Sequence, residues 1–374
     1  MLRSSSSRTL GDTLGTHDNG FNLVRLVCAL LVVVYHAWQL NHVQPNARDP
    51  LTELMRPVTD LGSLAVGVFF LVSGMFVGQS WLRDPHLGRF ALRRVARIVP
   101  GLFVCLLVTT VLAVGLFSAA GWAGLADGAP WRFIFGGTVL HGLVLHIPPE
   151  ELKIAGVLGG QFLNGPLWTL YWEGRMYVMV ALIGAAAILP MRQWLGGAAL
   201  FLLLAANVFP SVMAGYVWEV RLWSLFLTGV ALQALLPQAR FGAAQAACAA
   251  ILMAISWNGT AMLNPSGLTW FGAALLAVTL ALWAGSARPR RLGHFQRHDY
   301  SYGIYIYHWP VLLMLGEWMS DAGPVALCLA GMAVVLPLAA LSWHLVEAPA
   351  LRALRRRLRP PVRPVAAPVA HAAN

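Results

Sequence analysis

The chain has 374 residues, 58% of them hydrophobic and only 11% charged, which excludes an ordinary soluble domain with its roughly 25% of charged residues. Its formal net charge of +11 requires no nucleic-acid partner, because the cytoplasmic loops of membrane proteins are basic in any case. The four cysteines, Cys28, Cys105, Cys248 and Cys328, all fall in apolar stretches without metal-ligand spacing, so the pattern predicts buried thiols and no metal site.

Residues 1–20 are polar and of mixed charge and form a predicted cytoplasmic N-terminal segment. The apolar stretch after them is too long for a cleaved signal peptide and is not followed by a small-residue cleavage pattern. Apolar runs then recur along the chain, at about 21–40, 58–80, 101–120, 167–189, 196–213, 217–236, 241–257, 266–285, 301–319 and 325–345. They predict an all-α fold, a polytopic transmembrane helical bundle of about ten spans. With the N-terminus inside, the cytoplasmic segments hold 19 basic residues and the external loops four. That asymmetry places both termini in the cytoplasm. Residues 81–100 are then the main internal loop and 121–166 the long external one, whose part 133–147 is apolar enough to be re-entrant or to lie on the membrane. Residues 21–350 make one transmembrane domain. Residues 351–374 are Arg-rich, then Pro- and Ala-rich, and are expected to form a cytoplasmic tail that lies on the membrane surface and then becomes disordered.

Candidate chemistry also follows chain order. The first span carries Arg25 and, eleven residues on, His36 beside Tyr35. Ionisable groups within a span are costly and are functional candidates by default. Eleven helical residues are about three turns, so the two side chains share a face about 16 Å apart along the axis. An end-of-span arginine reaching the headgroups and a structural hydrogen bond between helices are the alternatives. In the second span, Ser73 and Gly74 mark close helix packing; a nucleophilic Ser73 has no base beside it in sequence. Arg93, Arg94 and Arg97 suit phosphate oxygens, although the charge rule for cytoplasmic loops also accounts for them.

The fourth span opens at Leu167–Trp168 and brings Glu173 about two turns below the outer surface, close to the depth of His36. A carboxylate there is able to orient the imidazole and raise its basicity; an ion pair with Arg175 is the structural alternative. In the ninth span, around Tyr305, His308 is too deep for an interfacial aromatic belt, and Pro310 frees a backbone carbonyl. Glu347, at the end of the tenth span, is placed to pair with an internal arginine.

Taken in order, Arg25-x10-His36, the Phe-Phe-x-x-Ser-Gly-x-Phe run at 69–76, Arg93-Arg94-x-x-Arg97-Ile98-x-Pro100, Leu167-Trp168-Thr169-Leu170-x-x-Glu173, Ser301-Tyr302-Gly303-Ile304-Tyr305-x-x-His308-x-Pro310 and Glu347-x-Pro349 resemble the bacterial membrane acyltransferase-3 family. That family includes O-antigen and Nod-factor O-acetyltransferases. The resemblance covers about residues 20–350. It implies an inner-membrane enzyme that moves an acyl group, usually acetyl, from cytoplasmic acyl-CoA to a hydroxyl of a glycan or glycosylated acceptor, often on the outer side. By matching position it implies that His36 is the catalytic histidine with Arg25 its companion, that Arg93, Arg94 and Arg97 bind acyl-CoA, and that Glu173 fills the acidic position. Tyr35, Ser73, Trp168, Tyr305 and His308 complete the candidate pocket. Many relatives have a second acid and Gln after the Glu, where this chain has Gly174 and Arg175, so a two-carboxylate role is not expected. Direct transfer, with His36 as general base oriented by Glu173, is the expected mechanism, and an acyl-histidine intermediate is its rival. A transporter or flippase is the alternative function, although the two related halves common in transporters are missing from this sequence.

Overall fold

The computed structural model describes residues 8–16, 19–44, 47–54, 59–138, 153–186, 192–208, 215–258, 265–287 and 293–358. These residues form fifteen α-helices: α1 Leu10–Gly15, α2 Phe21–Leu40, α3 Pro50–Leu54, α4 Leu61–Arg83, α5 Leu87–Phe117, α6 Gly128–Thr138, α7 Leu167–Ala185, α8 Arg192–Val208, α9 Val217–Leu235, α10 Ala243–Asn258, α11 Pro265–Ser286, α12 Gly293–Arg297, α13 Ser301–Trp318, α14 Pro324–Ser342 and α15 Ala348–Arg357. Among the described residues there is no strand, only two isolated β-bridges. The all-helical class is borne out, and each apolar run holds a helix. Among the described residues four segments, Phe21–Leu40, Leu61–Arg83, Leu87–Phe117 and Pro324–Arg357, are long and apolar enough to cross a membrane.

Two boundaries differ from the sequence expectation. The arginines of 81–100 lie on a helix and not in a loop, because α5 starts at Leu87, where the His86 side chain accepts the Arg89 N–H. Asp84, in the short link before it, binds Arg89 at 2.5 Å and Arg93 at 2.7 Å. Those guanidiniums hold its carboxyl well below the usual carboxylate range. At the other end of the chain, α14 runs through a π-helical turn, Trp343–Glu347, straight into α15, which packs on α5. Leu351–Arg357 are therefore helical, and the remainder of the expected tail, 359–374, lies outside the described residues. The apolar part of the long loop begins within α6, which packs on α5, and 139–147 likewise lies outside them.

The bundle is organised around α13, which packs on α2, α5 and α14 and is buried continuously from Ser301 to His308. Its polar residues find partners on neighbouring helices, on the link before it and on its own backbone. Pro310 has no N–H to give the Ile306 carbonyl four residues back; the freed carbonyl accepts from Asn164 Nδ2 at 3.0 Å and from Cys105 Sγ at 3.2 Å. The Tyr302 hydroxyl donates to the Ile98 carbonyl at 2.8 Å, tying α13 to α5. On the other side, α4 and α9 approach until their backbones touch. A Cβ at Gly74 would sit 2.1 Å from the Phe226 carbonyl oxygen, and one at Gly229 2.1 Å from that of Leu71. Membrane helices associate through such small-residue contacts, since lipid supplies no hydrophobic drive.

Gly229→Val should therefore destabilise the protein by about 1–3 kcal/mol or more through overpacking. Gly197→Val, on the exposed side of α8 with no atom within 4 Å of its Cβ, should stay within about 0.5 kcal/mol. Thermal unfolding of the two variants in detergent checks the contrast.

Candidate active site

A cavity of about 990 Å³ opens into the bundle at the end that carries α12, α15 and the start of α5. Arg352 and Arg355 of α15 line it, with Arg93 and Arg94 of α5. Farther along their helices come Ser73, Glu173 and Tyr177, then Phe69, Thr169 and Tyr305. The cavity thus has a cationic mouth and an aromatic, sparsely polar interior.

A four-charge network forms one wall. Arg25 of α2 and Arg97 of α5 both bind Asp299, Arg97 at 2.5 Å. Arg97 also reaches Glu347 at 3.3 Å. The Ser301 hydroxyl donates to Asp299 at 2.5 Å and that of Ser342 to Glu347 at 2.9 Å. Glu347 is 1% exposed, and the π-helical turn supplies the extra residue that swings it inward. The internal arginine expected for Glu347 is thus Arg97. For Asp299, burial opposes ionisation, but Arg25 and then Arg97 outweigh it and hold the carboxyl below its ordinary value. Arg97 is thereby committed to carboxylates, whereas Arg94 lies over the rings of Phe90 and Tyr177 and reaches Ser80 at 3.3 Å.

Glu173 accepts from the Ser73 hydroxyl at 2.8 Å and from the Tyr177 hydroxyl. This corrects its expected pairing with His36: α7 turns Glu173 toward α4 and the cavity, while His36 on α2 faces α13. Ser73 is thereby both a small packing residue and a donor to the carboxylate. Nor does Glu173 pair with Arg175, which lies over Tyr171 and Trp172. The partner of His36 is His308, with His36 Nδ1 and His308 Nε2 2.8 Å apart and the rings stacked at 16°. Trp309 packs edge-on against His36 and donates from Nε1 to the Phe162 carbonyl at 2.7 Å.

Neither histidine lines the cavity. One layer of side chains intervenes: Tyr305, held by Thr169 at 2.5 Å, contacts Phe69 on one side and His308 on the other. Among the remaining candidates, Tyr35 packs against Gly62 beside His36, and Trp168 is 43% exposed; neither lines the cavity. Two residues that hold this arrangement together are not apparent in the sequence. Asp299 sits in a basic link, signalled only by the Asp-x-Ser start of α13, and Asn164 was signalled only by the carbonyl that Pro310 must leave free.

The family model described as an acyltransferase domain, acyltransferase-3, matches residues 18–344. The chain belongs to the acyltransferase-3 family. It is 29% identical to nodulation protein 10 of Rhizobium leguminosarum bv. viciae, over 90% of this chain and 94% of that one. It is 26% identical to the O-acetyl transferase of Shigella phage Sf6, over 88% and 95%, and 29% identical to the acyltransferase MdmB of Streptomyces mycarofaciens, over 83% and 84%. No solved structure matches. The motifs from Arg25 to Pro310 all fall within the matched residues, and the membrane O-acyltransferase class stands on the family and these relatives.

Asp299→Asn should cost about 3 kcal/mol, because it leaves two partly buried guanidiniums facing one carboxylate. The folded-state value of Asp299 is depressed, so its contribution is present above the ordinary carboxylate range near ~4 and fades as the pH falls through the lower folded value. Thermal unfolding between neutral and acidic pH should show an acid-side loss in the wild type that is smaller in D299N.

Proposed function

We propose that this chain transfers an acyl group, acetyl by preference, from cytoplasmic acyl-CoA to a hydroxyl of a glycan or glycosylated acceptor at the outer side of the bacterial inner membrane. The reading includes ten spans with both termini inside, supported by the split of 19 basic residues against four. The observation that carries it is the alignment of one cavity with two kinds of chemistry. Arginines surround its mouth, and the His36–His308 pair lies one side-chain layer beyond its inner end.

CoA is polyanionic and cytoplasmic, and arginine forks match phosphate oxygens. Arg93 and Arg94 on α5, with Arg352 and Arg355 on α15, surround the nucleotide end. The pantetheine arm follows the cavity past Glu173, Ser73 and Tyr177, and the thioester reaches His36 when the Tyr305 and Phe69 rings yield. His36 then takes the acceptor hydroxyl proton as general base. The likeness to an O-acetyl transferase and an acyltransferase supports this reaction type for the present chain.

Purified protein supplied with labelled acetyl-CoA and surface glycan tests the reading. His36→Ala should abolish transfer and leave CoA binding within about twofold; transfer at the wild-type rate would sink the assignment. Arg94→Ala should raise KM for acetyl-CoA about tenfold or more, the loss of one hydrogen bond to a charged group being about 1.5–3 kcal/mol, while kcat changes little. Unchanged KM would remove Arg94 from the phosphate site.

A further inference from the structure

We propose that His308 is the residue that positions His36 and fixes its tautomer, the part that the sequence reading gives to Glu173. The geometry stands independently; its kinetic consequence rests on the acyltransferase function proposed above.

A main-chain carbonyl only accepts hydrogen bonds. His308 Nδ1 lies 2.7 Å from the Tyr305 carbonyl oxygen and 3.3 Å from that of Ile304, so Nδ1 carries a proton. His308 is 0% exposed, and its hydrogen bonds are to these carbonyls and to His36 among the described residues. A proton on Nε2 as well would make it a buried cation without a counter-ion among the described residues, which burial strongly disfavours. His308 is therefore neutral and its Nε2 is an acceptor. The 2.8 Å contact to His36 Nδ1 requires one hydrogen between the two nitrogens, and that hydrogen belongs to His36. His36 is thus the Nδ1–H tautomer, with its lone pair on Nε2. That nitrogen has no protein partner among the described residues, and His36 is only partly buried. The stacked His308 ring and the edge-on Trp309 ring fix the imidazole plane.

The same pair then serves the transfer step. The acceptor oxygen attacks the thioester carbonyl carbon and gives its proton to His36 Nε2. The carbon–sulfur bond breaks, and the thiolate leaves with the electron pair and takes that proton. The products are an ester and a free thiol, and nothing is oxidised. Throughout, His36 Nδ1–H stays on the His308 lone pair. A neutral acceptor does for this ring what a carboxylate does in the Ser-His-Asp arrangement, without burying a second charge in the apolar bundle.

The test has two arms. In ring-15N-histidine protein, with His36 assigned by comparison with H36A, the nitrogen spectrum of the wild type should show Nδ1 protonated and Nε2 bare, and H308L should lose that preference. A wild-type His36 protonated at Nε2 alone overturns the proposal whatever the protein's activity. In the kinetic arm, H308L should lower kcat about 100-fold or more, within the usual worth of a positioned base, with KM for acyl-CoA within about twofold. H308Q, whose amide oxygen is able to accept from Nδ1–H, should recover about tenfold over H308L. H308L within about threefold of wild-type kcat, or H308Q no better than H308L, overturns the positioning role. Survival of transfer in H36A would instead sink the acyltransferase assignment of His36 and leave the tautomer result standing.

Discussion

Two guanidiniums and two carboxylates, Arg25, Arg97, Asp299 and Glu347, meet where four parts of the chain converge. They come from α2, α5, the link into α13 and the π-helical turn after α14. A buried ion pair is weak evidence for net stability, because desolvation offsets most of its attraction. Its consequence here is geometric. With the charges balanced two against two, α13 enters the bundle at one register relative to α2, and nine residues on from Asp299 that register sets His308 against His36. Between the two points α2 and α13 are packed together.

Along α13 the sequence gathers three tyrosines and a histidine into seven residues, about two turns, and adds a proline inside the helix. Burial between α2, α5 and α14 accommodates them, since each polar atom finds a fixed acceptor or donor there. Proline adds to this order. The carbonyl it leaves free is bound by Asn164 and Cys105, which attaches the long loop and α5 to the helix that carries His308. The candidate-site side chains therefore stand on packed helices, while Asp299 and Asn164 come from links.

Much of this was legible in the residues, and the boundary has a physical cause. Hydropathy located ten helices because lipid-scale apolar runs admit little else. It also singled out Arg25, His36 and His308, because ionisable groups are rare at such depths. Glu347 and its arginine followed from end-of-helix position. What sequence spacing gives is depth along one helix. It does not give the direction a side chain faces across the bundle, so Glu173 and His36, matched in depth, were paired although Glu173 faces Ser73 and Tyr177. The same limit hid the His36–His308 contact, whose members are 272 residues apart. Asp299 was hidden differently: an aspartate in a basic link looks solvated until the helices on either side close over it.

The layer formed by Phe69 and Tyr305, with Thr169 holding the phenol, also has an electrical meaning. An energised membrane stores about 2.3 kcal/mol per elementary charge for each 100 mV across it. A continuous wet passage from the arginine-lined mouth to the far surface would let protons run down that gradient at every idle moment. In the transfer proposed above, a single sheet of rings between mouth and imidazoles would pass one small uncharged group per turnover and keep the bilayer an insulator the rest of the time.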